Sequence, residues 1–143
     1  MEIELDNGLR LRLNDKNHTS SIIPSPKVSG NVFVPSFVKY QDMNYKIVSI
    51  GSYSFSNTKI ESLTFSDDSE ITKFENNSFD CSHIKKLQIP KSLKTLEKLS
   101  LSCAYDLTEI EVSPKNKIFS NLENQYLVGK INEKSQTYDI LFF

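Results

Sequence analysis

The chain has 143 residues, enough for one domain with a real core and too few for two ordinary ones. Its formal net charge of −1 gives no electrostatic reason to expect DNA, RNA or an anionic membrane as partner. No apolar run approaches the ~20 residues needed to span a bilayer, and the alternating N-terminus, MEIELDNGLRLRLND, lacks a signal peptide's apolar stretch. Two readings follow: a cytosolic protein, or a fragment whose targeting segments lie elsewhere.

In chain order, Ile3, Leu5, Leu9, Leu11 and Leu13 fall on one face of two alternating runs separated by Asp6-Asn7-Gly8. Asn-Gly between such runs predicts a β-hairpin over 2–13. A polar connection is expected from Asn14 to Gly30, punctuated by Pro24 and Pro26. Val32-Phe33-Val34-Pro35 aligns with the later Leu87-Gln88-Ile89-Pro90 and predicts a first, irregular coil. Tyr40 and Tyr45 flank Gln41-Asp42-Met43-Asn44, a second expected hairpin leading into Ile47.

From Ile47 the apolar residues recur in register. With Ile47, Ile71 and Leu93 as starts, the first set is Ile47, Ile50, Phe55, Ile60, Leu63 and Phe65. The second is Ile71, Phe74, Phe79, Ile84, Leu87 and Ile89. The third, with one extra residue before Leu107, is Leu93, Leu96, Leu101, Leu107, Ile110 and Val112. Ser54, Ser78 and Ser100 fill the column before the third position of each set, where a small residue suits a tight helical turn. The periods, 24 residues from Ile47 to Ile71 and 22 from Ile71 to Leu93, suit leucine-rich repeats, in which one short strand per repeat lines a stacked coil. The predicted fold is a leucine-rich repeat solenoid, mainly β with short helical turns on the outer side and a β-hairpin as N-terminal cap. We expect one solenoid domain: cap and irregular first coil at 1–46, repeats at 47–70, 71–92 and 93–113, and a C-terminal hairpin or partial repeat at 114–143.

In that last segment Ser113-Pro114-Lys115-Asn116-Lys117 is turn-forming. Tyr126-Leu127-Val128-Gly129 and the run Tyr138 to Phe143 read as two strands joined through Asn132-Glu133-Lys134-Ser135. Free termini are normally polar, so an Ile140-Leu141-Phe142-Phe143 ending is what a chain continuing past Phe143 would show.

These repeats resemble the BspA-like class of leucine-rich repeats, found in surface proteins of bacteria and parasitic protists. Gly51, Phe55, Phe79, Cys81, Cys103 and Pro90 stand where that class carries its Gly, Phe, Cys and Pro. The chain departs from it in having Ser where Ala is common. It also lacks the Asn of the ordinary leucine-rich pattern, since Asp68, Ser92 and Lys115 follow the strands, so no Asn ladder is expected. The resemblance covers about residues 30–130. It implies adhesion or binding of a protein ligand, such as a host or extracellular-matrix protein, at a cell surface or in secretion.

Catalytic and metal chemistry find little support in the pattern. No G-x-S-x-G elbow is present, and Asp67-Asp68 and Glu109/Glu111 read as solvated residues, so we expect no enzyme and no cofactor. Cys81-Ser82-His83 falls short of a four-ligand zinc site, because the chain has only two Cys and two His. Cys81 and Cys103 share a column with Asn57. They are either small buried hydrophobes or a disulfide between neighbouring coils, which needs an oxidising compartment. Asn17-His18-Thr19 and Asn76-Asn77-Ser78 match the glycosylation acceptor pattern, which matters only for a secreted chain.

The residues between buried strand positions are expected on the concave side. They are Phe33, then Ser62 and Thr64, then Lys86 and Gln88, then Glu109 and Glu111. Solenoids commonly bind partners on that side, and an exposed Phe33 is the expected anchor. A second reading, self-association as a structural unit, rests on the apolar end and an open coil edge.

Overall fold

The computed structural model describes residues 1–123, 126–130, 132–138 and the backbone of 140 and 141. The expected N-terminal hairpin is present. Strands β1 (Glu2–Glu4) and β2 (Arg10–Asn14) pair antiparallel with Ile3 opposite Leu11. Its turn is closed by Gly8 N–H donating to Leu5 O at 2.9 Å and Leu5 N–H donating to Leu9 O at 2.8 Å. Gly8 has φ 86°, a left-handed backbone that suits glycine, and a Cβ there would lie 3.1 Å from the Lys27 carbonyl carbon.

The stretch from Asn14 to Gly30 is more than a polar connection. It contains strand β3 (Thr19–Ile23), antiparallel to β2 and parallel to the later β6 (Met43–Ile50). Its polar composition hid it. Ser20 is nevertheless buried, its hydroxyl donating to Lys46 O at 3.3 Å, while Ser49 Oγ donates to Ser21 Oγ at 2.7 Å. Satisfied hydroxyls make Ser cheap to bury beside a neighbouring strand. Strand β4 (Ser29–Val34) follows, and β5 (Phe37–Tyr40) then pairs antiparallel with β6. The β5–β6 turn places Gln41 at φ 47° and Asp42 at φ 64°, the two left-handed residues that a tight hairpin matching strand twist requires.

Each regular coil then runs through two parallel sheets. One stacks β3, β6, β8 (Lys73–Phe74) and β10 (Thr95–Leu96), with β2 and β1 extending it at the N-terminal end. The other stacks β4, β7 (Lys59–Phe65), β9 (Lys86–Ile89) and β11 (Glu109–Val112) in that order. The outer connections between the sheets are chains of tight turns, with no helix among the described residues. Ser54 N–H donates to Gly51 O, Ser56 N–H to Tyr53 O and Thr58 N–H to Phe55 O, each at 3.2–3.3 Å, which is 3₁₀-like spacing without a helix. Neighbouring turns are laddered by their backbones, as Ser25 N–H donates to Ser54 O, Phe55 N–H to Ser78 O and Phe79 N–H to Ser100 O.

The interior follows the sequence columns. Every one of the predicted repeat positions is buried except Val112, which is half-buried on the last strand. Phe55 and Phe79 stack with centroids 5.4 Å apart, and Phe74 meets Phe79 edge-on at 5.7 Å. Gly51 sits where a Cβ would come within 2.8 Å of Ile22 O, closer than real Cβ atoms approach backbone.

The serine column is buried too, but its members differ. Ser54 Oγ lies 2.9 Å from Ile22 O and 2.7 Å from Gly51 O, so its hydroxyl always has a carbonyl to donate to. Ser78 Oγ is buried with no hydrogen-bond partner among the described residues. An unmade bond at a buried hydroxyl costs free energy, whereas a made one contributes ~1 kcal/mol. Ser54→Ala should therefore lower stability by ~1 kcal/mol, and Ser78→Ala should leave it unchanged or raise it. Urea denaturation of the two variants checks this; an equal loss in both would contradict the assignment.

A glutamate column ties the turns on the other corner. Glu75 Oε2 accepts from Ser52 N–H at 3.0 Å, and Glu97 Oε2 accepts from Asn76 N–H at 2.6 Å. Lys73 Nζ lies 2.7 Å from Glu97 Oε1. The bond from Lys73, with that from Asn76 N–H, holds the Glu97 carboxyl below its ordinary value. A depressed folded value means the contribution is present above the ordinary glutamate range and lost as pH falls through the folded value. Glu97→Gln should accordingly lower Tm near neutrality, and the difference should shrink as pH falls below the ordinary glutamate range and the carboxylate is protonated. A Tm difference constant across that range would refute the coupling.

The Cys column departs from expectation. Cys81 is exposed and Cys103 half-buried, both as free thiols. Asn57, Cys81 and Cys103 have φ of 55°, 53° and 58°, so this column is a left-handed position of each outer turn, as Tyr53 and Asn77 are four residues earlier in the first two, and it stays out of the core. The burial expected of a small hydrophobe does not arise.

After β11 the chain forms a third sheet, β12 (Phe119–Leu122), β13 (Tyr126–Gly129) and β14 (Ile140–Leu141), all antiparallel. The predicted strand at 126–129 is β13. Of the predicted strand from Tyr138 to Phe143, β14 is seen, whereas Asp139, Phe142 and Phe143 lie outside the described residues. Strand β12 was not predicted. It is launched by buried Asn116, whose Nδ2 donates to Pro90 O at 2.8 Å and Leu93 O at 3.1 Å, while Oδ1 accepts from Ile118 N–H and Phe119 N–H. All four amide bonding positions are used, which fixes this corner to the preceding coil.

Candidate protein-binding face

The β4-β7-β9-β11 sheet presents one side to the core and one to solvent, because strand residues alternate. Val32, Leu63, Leu87 and Ile110 point inward and are buried. The predicted residues lie on the solvent side and in register. Ser62 pairs with Lys86, Lys86 with Glu109, and Gln88 with Glu111; Phe33 pairs with Thr64. The structure thus brings all seven predicted residues onto one face. It adds Asn31, which pairs with Ser62 and whose Oδ1 accepts from Ser62 Oγ at 2.7 Å. The signal for Asn31 was alternation: it stands two residues before Phe33 in a strand that begins earlier than expected.

Chemically the face is uneven. Phe33 is 54% exposed on edge strand β4, an aromatic left largely open to solvent among the described residues. Ser62 and Thr64 form a small polar middle. Lys86 Nζ lies 3.3 Å from Glu109 Oε1 and 3.5 Å from Glu111 Oε2. The hydrogen bond and charge of Glu109, with Glu111 behind it, push the Lys86 ammonium above its ordinary value. The three charges leave one negative in excess at the β11 edge. Gln88 has an internal task, since its Oε1 accepts from Phe65 N–H at 2.7 Å in place of a backbone carbonyl. At that end the sheet opens into a cleft of about 370 Å³ lined by Phe65, Gln88, Pro90, Lys91, Glu111 and Lys115.

Two other polar groupings lie on the outer turns. His83 Nδ1 is 3.0 Å from Asp106 Oδ2. Asp80, Cys81 and Cys103 bring a carboxylate oxygen and two Sγ atoms within 4.8 Å of one another. Partial desolvation by the neighbouring turn first, then the Asp80 charge and contact with Cys103, raise the exposed Cys81 thiol above its ordinary value.

A family model described as the BspA type leucine rich repeat region matches residues 15–126 in six copies. The chain belongs to the BspA-type leucine-rich repeat family. The match begins at residue 15, so it takes in the early stretch containing β3, which repeat spacing alone left as a connection.

Solved structures agree on the fold of this BspA-type chain. A leucine-rich repeat protein from Bacteroides ovatus ATCC 8483 is 22% identical with a TM-score of 0.60, covering 74% of this chain and 28% of its own. The pneumococcal vaccine antigen PcpA is 15% identical with a TM-score of 0.53, covering 82% of this chain and 39% of its own. The chain therefore spans less than half the length of either protein. No curated protein matches it by sequence.

Proposed function

We propose that this BspA-type chain is a non-enzymatic protein-binding module, and that its partner, a host or extracellular-matrix protein in surface adhesion, docks on the solvent face of the β4-β7-β9-β11 sheet. The observation that carries the reading is Phe33, half-exposed at the head of an otherwise polar, ordered strand face. An exposed aromatic beside hydrogen-bonding neighbours has the composition of an interface anchor, where a few residues supply most of the binding energy. Asn31, Ser62, Thr64 and Lys86 supply donors and acceptors around it. Glu109 and Glu111 favour a basic segment on the partner at the far edge.

The test is retention of extracellular-matrix and host-surface proteins on the immobilised chain, followed by affinity measurement for those retained. Phe33→Asp is expected to weaken binding at least about tenfold, as loss of an anchor does. Tyr53→Asp, on the outer turns, is expected to leave it unchanged. If nothing is retained, or if the two variants behave alike, the proposed face is wrong.

Self-association through the apolar end is the less favoured reading. Phe142 and Phe143 lie outside the described residues. The edge of β11, one open coil edge it would use, is already met by Asn121, whose Nδ2 donates to Ile110 O at 3.1 Å. A monomer by light scattering at high concentration would remove it.

A further inference from the structure

We propose that Asp80, Cys81 and Cys103 form a site for a thiophilic d¹⁰ cation, zinc(II) or a congener, held between two adjacent coils. This site lies on the outer turns and is independent of the binding face described above.

The first reason is the backbone. Cys81 and Cys103 occupy left-handed positions, where Asn57 stands one coil earlier. Asn tolerates that conformation because its short amide bonds locally; Cys has no such compensation. Packing does not explain the thiols either, since Cys81 is exposed and Cys103 only half-buried. The left-handed backbone keeps both sulfurs out of the core and within reach of an ion from solvent.

The second reason is convergence. The two Sγ atoms and an Asp80 oxygen already lie within 4.8 Å of one another. Sulfurs bound at about 2.3 Å to one tetrahedral zinc stand about 3.8 Å apart, so small side-chain rotations complete the geometry. The turns carrying them are held together, because Phe79 N–H donates to Ser100 O at 3.0 Å and Asn77 N–H donates to Leu99 O at 3.0 Å. Tyr105 Oη donates to Cys103 Sγ at 3.3 Å and steadies that sulfur. Two thiolates and one carboxylate leave a fourth position open to water, the arrangement of an open rather than a closed structural zinc site. The sequence pointed away from zinc because the chain has only two Cys and two His; the site proposed instead takes a carboxylate as third ligand and leaves the fourth position to water.

The third reason separates a cation from a disulfide. Asp80 Oδ1 is 3.7 Å from Cys81 Sγ. A carboxylate oxygen set beside the two sulfurs is a third charged donor that a cation uses and a disulfide does not. Binding is balanced as one divalent ion in and two thiol protons out. His83, one turn on, is paired with Asp106 and stands outside the ligand set.

The reduced, metal-free full chain is titrated with zinc against a chromophoric chelator, and with cadmium while thiolate-to-metal charge-transfer absorption is followed. We expect one ion per chain, two protons released per ion, and protection of both thiols from alkylation by one equivalent of zinc. Cys81→Ser and Cys103→Ser should each weaken binding by about 100-fold or more, Asp80→Asn by about tenfold, and His83→Ala should not change it. Circular dichroism confirms that the variants are folded, and thiol protection on the wild-type chain needs no variant at all. Binding that is substoichiometric or indifferent to the cysteines would overturn the site. So would spontaneous loss of both thiols as a disulfide with no metal uptake.

Discussion

Leu87→Ala is expected to lower the stability of the chain by ~2–5 kcal/mol, the range for deleting a fully buried leucine and leaving a cavity. Leu87 sits in β9, with Leu63 of β7 on one side and Ile110 of β11 on the other. All three are at most 1% exposed. In a solenoid each coil buries its apolar face only against its neighbours, so one truncation in the middle coil weakens two interfaces. Strands hydrogen-bonded on both sides cannot slide inward to fill the void, which pushes the expected loss away from the low end. Set against a typical total of 5–15 kcal/mol, that is a large fraction. Val112→Ala, half-buried on edge strand β11, should cost clearly less. The midpoint and slope of urea denaturation decide the matter. A midpoint for Leu87→Ala equal to wild type, or no worse than that of Val112→Ala, would contradict the stacking account.

The repeat columns were legible in the sequence because they report one property, apolar volume at fixed spacing, and burial follows from it directly. The face of the second sheet was legible for the same reason: alternation places Phe33, Lys86 and Glu109 opposite the buried positions whatever their neighbours do. What escaped depends on details that apolar spacing does not encode. Strand β3 is built largely from Thr and Ser, the Ser20 hydroxyl being satisfied by Lys46 O, that of Ser21 by Ser49 and that of Thr19 by Asn17. The outward turn of Cys81 depends on a left-handed backbone at that residue, which a column of small side chains does not reveal. Gln88 looked like a free surface amide, yet its oxygen stands in for a backbone acceptor. The pattern of Asn116 gave no hint that a single amide would make four bonds and set the path of β12. In each case the missing information was which polar group satisfies which.

Phe79→Ala is the substitution expected to cost most, ~3–5 kcal/mol. Phe79 is fully buried beneath the outer turns. It stacks on Phe55 at 5.4 Å, and Phe74, which meets it at 5.7 Å, in turn stacks on Phe65 at 6.0 Å. Removing this ring unpacks two aromatic contacts, each worth ~0.5–1.5 kcal/mol beyond the area it buries. It also leaves the backbone bond from Phe79 N–H to Ser100 O spanning an unsupported turn. Tight turns without a helix have few internal bonds of their own, so their order depends on the rings under them. Phe79→Leu, which keeps most of the volume and none of the stacking, separates the two contributions: it should recover more than half of the loss. The readouts are urea denaturation for the total and amide exchange at Asn57 and His83, whose N–H groups bond across neighbouring turns to Asp80 O and Thr58 O. Faster exchange at those two amides in Phe79→Ala, with the four-stranded sheet still protected, is the expected pattern. Uniform acceleration throughout the chain would instead mean that the rings support the whole solenoid and that the outer turns have no separate stability.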